Sequence, residues 1–204
     1  MKCGVTRLRT RDPATRVSQN MKFPIRAAAA ITAFVVLTTG CAGWAVGQQT
    51  DHVAADVEFM RNMIAHHEQA LAMTALVPTR SRREDIAVLA LRIELSQDSE
   101  IELMRNWLKA RDEPESAGTH DHAHMPGMLS AEEMTKLAGL TGDEFDRTFL
   151  QMMIRHHEGA LVMVAELFAS PGARDPATYA LVADVDADQR AEIARMQALL
   201  ERLR

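Results

Sequence analysis

The sequence predicts an all-α fold, a four-helix bundle built from two repeated helical hairpins joined by a long crossover. Three observations point there. Ala, Leu, Met, Glu and Arg dominate, while strand formers are sparse and aromatic residues make up only 4% of the 204, a mixture that favours helix. Apolar residues recur at helical spacing through four long segments. One of those segments is written twice: MIAHHEQALAM, Met63 to Met73, returns as MIRHHEGALVM, Met153 to Met163.

The Arg-rich residues 1–20 read as an upstream extension from an early start codon, with Met21 as the working start. Residues 21–41 have the form of a bacterial export signal: Lys22 and Arg26, then an uncharged apolar run, then small residues before Cys41. TTGC is similar to a lipobox, with Thr38 where Leu is usual, and makes Cys41 the candidate lipidation site. Two other readings stay open. Ala27 to Val46 carries no charge and could just span a bilayer as an uncleaved anchor, or the signal could simply be cleaved. All three place the rest of the chain outside the cytoplasm.

Residues 42–50 are a short linker, and 51–204 form the bundle. The first helix runs from about Asp51 to Val77 and stops at Pro78; the second opens with Ser81 and Glu84 in capping-box spacing and reaches about Arg111. This hairpin, 51–111, is followed by a polar crossover, 112–140, in which Ser130 and Glu133 start a short helix. In the second hairpin, 141–204, Thr141 and Glu144 cap one helix that ends near Ser170. Asp175 and Pro176 start the last, which runs to about Leu203.

The repeat organises all of this. Asp56, Phe59, Met63, His66, His67, Ala70 and Met73 recur as Asp146, Phe149, Met153, His156, His157, Ala160 and Met163. Gln97, Glu100 and Met104 recur as Gln189, Glu192 and Met196. Hairpins whose apolar stripes cannot be buried alone pair into a bundle.

At 100° per residue, His66 and His67 fall in the apolar arc with Met63 and Ala70, whereas Glu68 falls on the far side. The HHE triplet is therefore not one ligand set. Gln97 lies at the centre of the second helix's apolar arc and Glu100 at its edge, so Gln97, Glu100, Gln189 and Glu192 can back the histidines from behind. A lone inward histidine is usually a hydrogen-bonded core residue. Four of them in equivalent positions ask a small core to hold many polar atoms with no return in stability, and metal ligation explains them better.

Imidazole suits copper, zinc, iron and nickel, while thioether selects copper(I). With 13 methionines in the chain, copper, as Cu(I) or Cu(II), ranks ahead of zinc or iron. The candidate ligands are His66, His67, His156 and His157 with Met63, Met153, Met73 and Met163. A second candidate set lies in the crossover: His120, His122, His124, Met125 and Met128. Charge narrows the partners. The first forty residues hold seven Lys/Arg and one Asp/Glu, which leaves 16 basic against 27 acidic side chains, a net of −11. That surface suits cations and excludes a general nucleic-acid role.

The doubled F-x₃-M-I-x-HH-E-x-A-x₂-M motif, the Q-x₂-E-I-x₂-M segments and HMPGM before an acidic short helix resemble the bacterial domain-of-unknown-function 305 family over about residues 51–200. The resemblance implies a ferritin-like four-helix bundle, export to the periplasm or cell surface, and copper binding in some members. The expected role is thus sequestration or transfer of copper outside the cytoplasm rather than catalysis, with a membrane attachment at the N-terminus and an unidentified donor or acceptor protein. A homodimer that completes the sites stays open. One alternative is an oxidoreductase with a di-metal carboxylate and histidine centre of iron or manganese, although no Glu-x-x-His occurs in the chain. Another is an envelope interaction module that binds no metal. No CxxC, nucleotide loop or Ser/His/Asp arrangement supports other chemistry.

Overall fold

The computed structural model describes residues 42–115, 125–170 and 176–203, with side chains from residue 54 onward. The export signal, Cys41 and the histidines His120, His122 and His124 lie outside the described residues. Six helices follow in order: α1 (Ala42–Thr74), α2 (Val77–Arg80), α3 (Glu84–Lys109), α4 (Ala131–Gly139), α5 (Gly142–Ala169) and α6 (Pro176–Arg202). No strand occurs among the described residues, and none of their helices is long and apolar enough to cross a membrane.

Helix α1 packs along α3 and α5, and α6 packs along α5 and α3. The four long helices therefore close a ring in the order α1, α3, α6, α5, with α1–α3 and α5–α6 as the two hairpins. Each hairpin buries one stripe against the other, which is why the apolar period of each helix is satisfied only in the pair. The core falls into two apolar clusters. One holds Met73, Ile86, Ile93, Phe145, Phe149, Met153 and Met196. The other holds Phe59, Met60, Met63, Ile101, Met104, Met163 and Val182. Fully burying each such side chain is worth about 1.5–3 kcal/mol.

One of the repeated aspartates ties one hairpin to the other. The Thr178 hydroxyl in the first turn of α6 donates to Asp56 on α1 at 3.2 Å. Its counterpart Asp146 on α5 is buried, and its pKa is raised first by that burial, against the lowering effect of the Ser81 hydroxyl and the Arg83 charge near the start of α3.

Several local expectations differ from what forms. Helix α1 begins at Ala42 rather than near Asp51, so residues 42–50 belong to the helix rather than to a linker. Pro78 does not simply end α1: it sits in the first turn of the short α2, where a missing N–H costs nothing. The Ser81–Glu84 capping box is absent. The Ser81 hydroxyl accepts from the Arg83 amide instead, and α3 starts with Arg83 in the N-cap position. Thr141 holds the N-cap position of α5 without a side-chain cap. The Ser130–Glu133 box does form, in both directions.

Candidate metal centre

Between the two apolar clusters lies a layer of four histidines. His66, His67, His156 and His157 are all buried, none more than 1% exposed. Because α1 and α5 pack side by side and carry the same motif, the two HH pairs meet at mid-bundle. The rings of His66 and His156 lie 3.8 Å apart between centroids, tilted by 34°, and His156 stands 6.1 Å from His157.

The second position of each pair turns toward its own hairpin partner. His67 Nε2 is 2.5 Å from Glu100 Oε2 on α3, and His157 Nε2 is 2.7 Å from Glu192 Oε2 on α6. These contacts are the same contact written twice by the repeat. Gln97 adds a crossing between hairpins, its Nε2 lying 3.4 Å from His157 Nε2. Gln189 is buried, and its Oε1 has no hydrogen-bond partner among the described residues. Glu68 and Glu158 point to solvent, as the helical wheel requires, and Glu68 pairs with Arg105 at 2.7 Å.

Burial holds three of these imidazoles neutral. It lowers His66 to a pKa of about 3, helped by the neighbouring His67 and opposed by the Pro126 carbonyl. His67 falls to about 3 for the same first reason, with His157 adding to the fall. His156 is also held well below the usual range by burial and the other imidazoles. Glu100 moves the other way, up to about 8, because burial and the nearby Asp188 and Glu192 charges disfavour its anion.

Five imidazole nitrogens have no hydrogen-bond partner among the described residues: Nδ1 of His66, His67 and His157, and both nitrogens of His156. A buried polar atom left so costs about 1–3 kcal/mol. Neutral imidazoles with unengaged lone pairs are the form that a metal ion takes up. Among the described residues, no three His, Cys, Asp or Glu side chains converge as a finished metal set.

The methionines flank the layer from both sides. Met63 and Met163 belong to one cluster and Met73 and Met153 to the other. Because α1 and α5 run antiparallel, equivalent residues of the two copies lie on opposite sides of the histidines. A cleft of about 210 Å³, lined by residues that include Glu58, Phe59, Asn62 and Glu166, reaches Met163. A wider groove of about 720 Å³, lined by residues that include Arg83, Arg92, Arg195 and Arg202, contains none of the histidines.

Helical period and spacing do not reveal one part of the site. The crossover segment Met125–Leu129 comes down on α1 and α5 beside the histidines, where His66 Nε2–H donates to the Pro126 carbonyl at 3.0 Å. The signal for it was Gly159, an isolated glycine inside a helix where the first copy has Gln69.

Comparison with known proteins agrees with this architecture. A fragment from Deinococcus radiodurans, crystallised as a DUF305 protein, is 34% identical over 72% of this chain and 96% of its own, with a TM-score of 0.66. A DUF305 protein from Streptomyces coelicolor is 29% identical over 73% of this chain and 93% of its own, with a TM-score of 0.67. CopM in its Cu(II)-bound form is 27% identical over 73% of this chain and 97% of its own, with a TM-score of 0.62. CopM structures with Cu(I) and with silver match as well. No curated protein matches the sequence. The profile of the domain of unknown function DUF305 spans residues 56–200, which take in most of the four long helices and both HH motifs, and the chain belongs to that family.

Proposed function

We propose that this protein is an exported copper-binding protein that sequesters copper or hands it on outside the cytoplasm. The observation that carries the reading is the layer of four buried, repeat-related histidines with five nitrogens lacking partners. His66, His67, His156 and His157 supply imidazole, and Met63, Met73, Met153 and Met163 offer thioether from either side. That donor set has no thiolate and suits copper, Cu(I) above all. CopM, known in copper-bound forms, gives the reading its comparative support.

Glu100 and Glu192 stand behind His67 and His157 as outer partners. A carboxyl group behind an imidazole fixes the ring's orientation and tautomer. Met125 and Met128, half-buried on the bundle, join the crossover histidines His120, His122 and His124 in a second set that collects or releases the ion. In this reading the segment ending at Cys41 is an export signal that carries the protein out of the cytoplasm and offers Cys41 for membrane attachment; the Streptomyces coelicolor relative, named as a secreted protein, supports export. The His67–Glu100 and His157–Glu192 pairs favour one second reading, a histidine and carboxylate centre for iron or manganese.

The test is a competitive titration of residues 42–204 with copper(I) and copper(II), with zinc, iron and manganese as controls, repeated with all four histidines changed to alanine. Tight copper binding that the substitutions abolish is expected. Binding that survives them moves the site to the crossover. Iron or manganese bound with carboxylate-bridged spectra favours the second reading, and no metal at all sinks both.

A further inference from the structure

The two copies of the motif are nearly equivalent around the histidines, yet they differ where the crossover lands. Position 69 is glutamine and its counterpart, 159, is glycine. Each of these residues holds the same short segment. The Gln69 amide donates to the Leu129 carbonyl at 2.9 Å and accepts from the Leu129 amide at 2.7 Å, so one side chain pairs with the backbone in both directions. Gly159 provides space. A Cβ there would lie 2.1 Å from the Pro126 oxygen and 2.6 Å from the Gly127 Cα, closer than atoms can approach.

Gly127 answers from the other side. Its φ of +78° is open to glycine, and a Cβ on it would lie 2.7 Å and 2.8 Å from the carbonyl oxygens of Arg155 and His156. Arg155 then anchors the following helix by two bonds to Glu133, at 2.7 and 2.8 Å. Between these attachments the Pro126 carbonyl takes the Nε2 proton of His66, which leaves the Nδ1 lone pair of that ring unengaged. Met125 packs on the cluster that holds Met63 and Met163.

A helix interior tolerates glycine at a cost of about 1 kcal/mol relative to alanine, and a glutamine that spends both ends of its amide on one backbone residue is equally committed. We propose that Met125–Leu129 is the cover of the histidine layer, seated by Gln69 and Gly159, and that copper reaches or leaves His66 and His156 when this strap lifts and Pro126 releases His66. The passage of copper rests on the function proposed above; the cover itself does not. Gln69 and Gly159 are positioning residues that act through the strap and touch no metal.

The test uses residues 42–204 carrying Gly159→Ala or, separately, Gln69→Leu, which removes both hydrogen bonds without adding bulk beneath Pro126. Strap docking is read by hydrogen exchange at the Leu129 amide. Access is read in metal-free protein by the rate at which diethyl pyrocarbonate acylates His66 and His156, and in copper(I)-loaded protein by the rate of transfer to a chelator. In both variants Leu129 is expected to lose protection, and acylation and copper transfer to accelerate about tenfold, the scale of losing two hydrogen bonds. Unchanged acylation and transfer with Leu129 unprotected would overturn the cover. Full protection of Leu129 in both variants would overturn the docking. If acylation accelerates but the parent chain binds no copper, the cover stands and the copper reading falls.

Discussion

At the scale of the residue, burial decides protonation, and protonation sets how stability follows pH. His66 and His67, held near pKa 3, and His156, also held low, stay neutral in the fold while the unfolded chain protonates them below about pH 6.5. The unfolded state then binds more protons, so stability falls as pH drops from 6.5 toward 3. Glu100 has the opposite sign. Raised to about 8, it keeps its proton in the fold where the unfolded chain would ionise, so its contribution is complete below 4.5 and lost as pH rises through 8. Three histidines outweigh one carboxyl on the acid side. The metal-free protein should therefore be most stable near pH 6.5 and lose stability in both directions, more steeply toward acid. Urea midpoints at about pH 5, 6.5 and 8.5 check this, and a midpoint that does not fall between 6.5 and 5 would mean that the histidines are not held neutral. The inward direction of all four histidines and the outward direction of Glu68 followed from 100° per residue alone. Which carboxyl stands behind which imidazole did not, because Glu100 and Glu192 come from other helices.

At the scale of the element, identical local signals gave different results. Ser81 with Glu84 and Ser130 with Glu133 have the same spacing, yet only the second pair forms a capping box. Near α3 the Ser81 hydroxyl is taken by the Arg83 amide, and Arg83 is held by two bonds to Asp85 at 3.1 and 2.8 Å, so the helix starts after them. Spacing cannot foresee that competition. Ser130→Ala should cost about 1 kcal/mol through the lost cap. Faster amide exchange at Glu133, with the four long helices unaffected, is the expected reading, and unchanged exchange would mean that the box carries no stability. The existence and order of the long helices were legible because each carries an apolar stripe over many turns. Their ends were less so: α1 begins at Ala42, and α2 uses Pro78 as a start, since a helix end depends on which neighbour takes its free backbone groups.

At the scale of the whole molecule, the bundle closes only because two hairpins share one core, and the histidine layer spans both. An ion held by those histidines would link α1 to α5 and would bind only the folded chain. Copper at about 100 times its Kd should then raise stability by about 2.7 kcal/mol, and a chelator should reverse the gain. Thermal melts with and without copper(I) test it; an unchanged midpoint would mean that the fold does not hold the metal. The same closure explains the methionine levels. Antiparallel packing of α1 against α5 puts Met63 and Met163 in one apolar cluster and Met73 and Met153 in the other, a grouping that repeat spacing alone does not contain.

By itself the sequence determined the helix class, the repeat, the buried histidines and the family, since all of these rest on period and residue type along one chain. Only the tertiary structure decided which partners those histidines meet. It also revealed why position 159 is glycine where position 69 is glutamine: the Pro126 and Gly127 backbone seats against that helix, and contact between segments so far apart in sequence leaves no period to read.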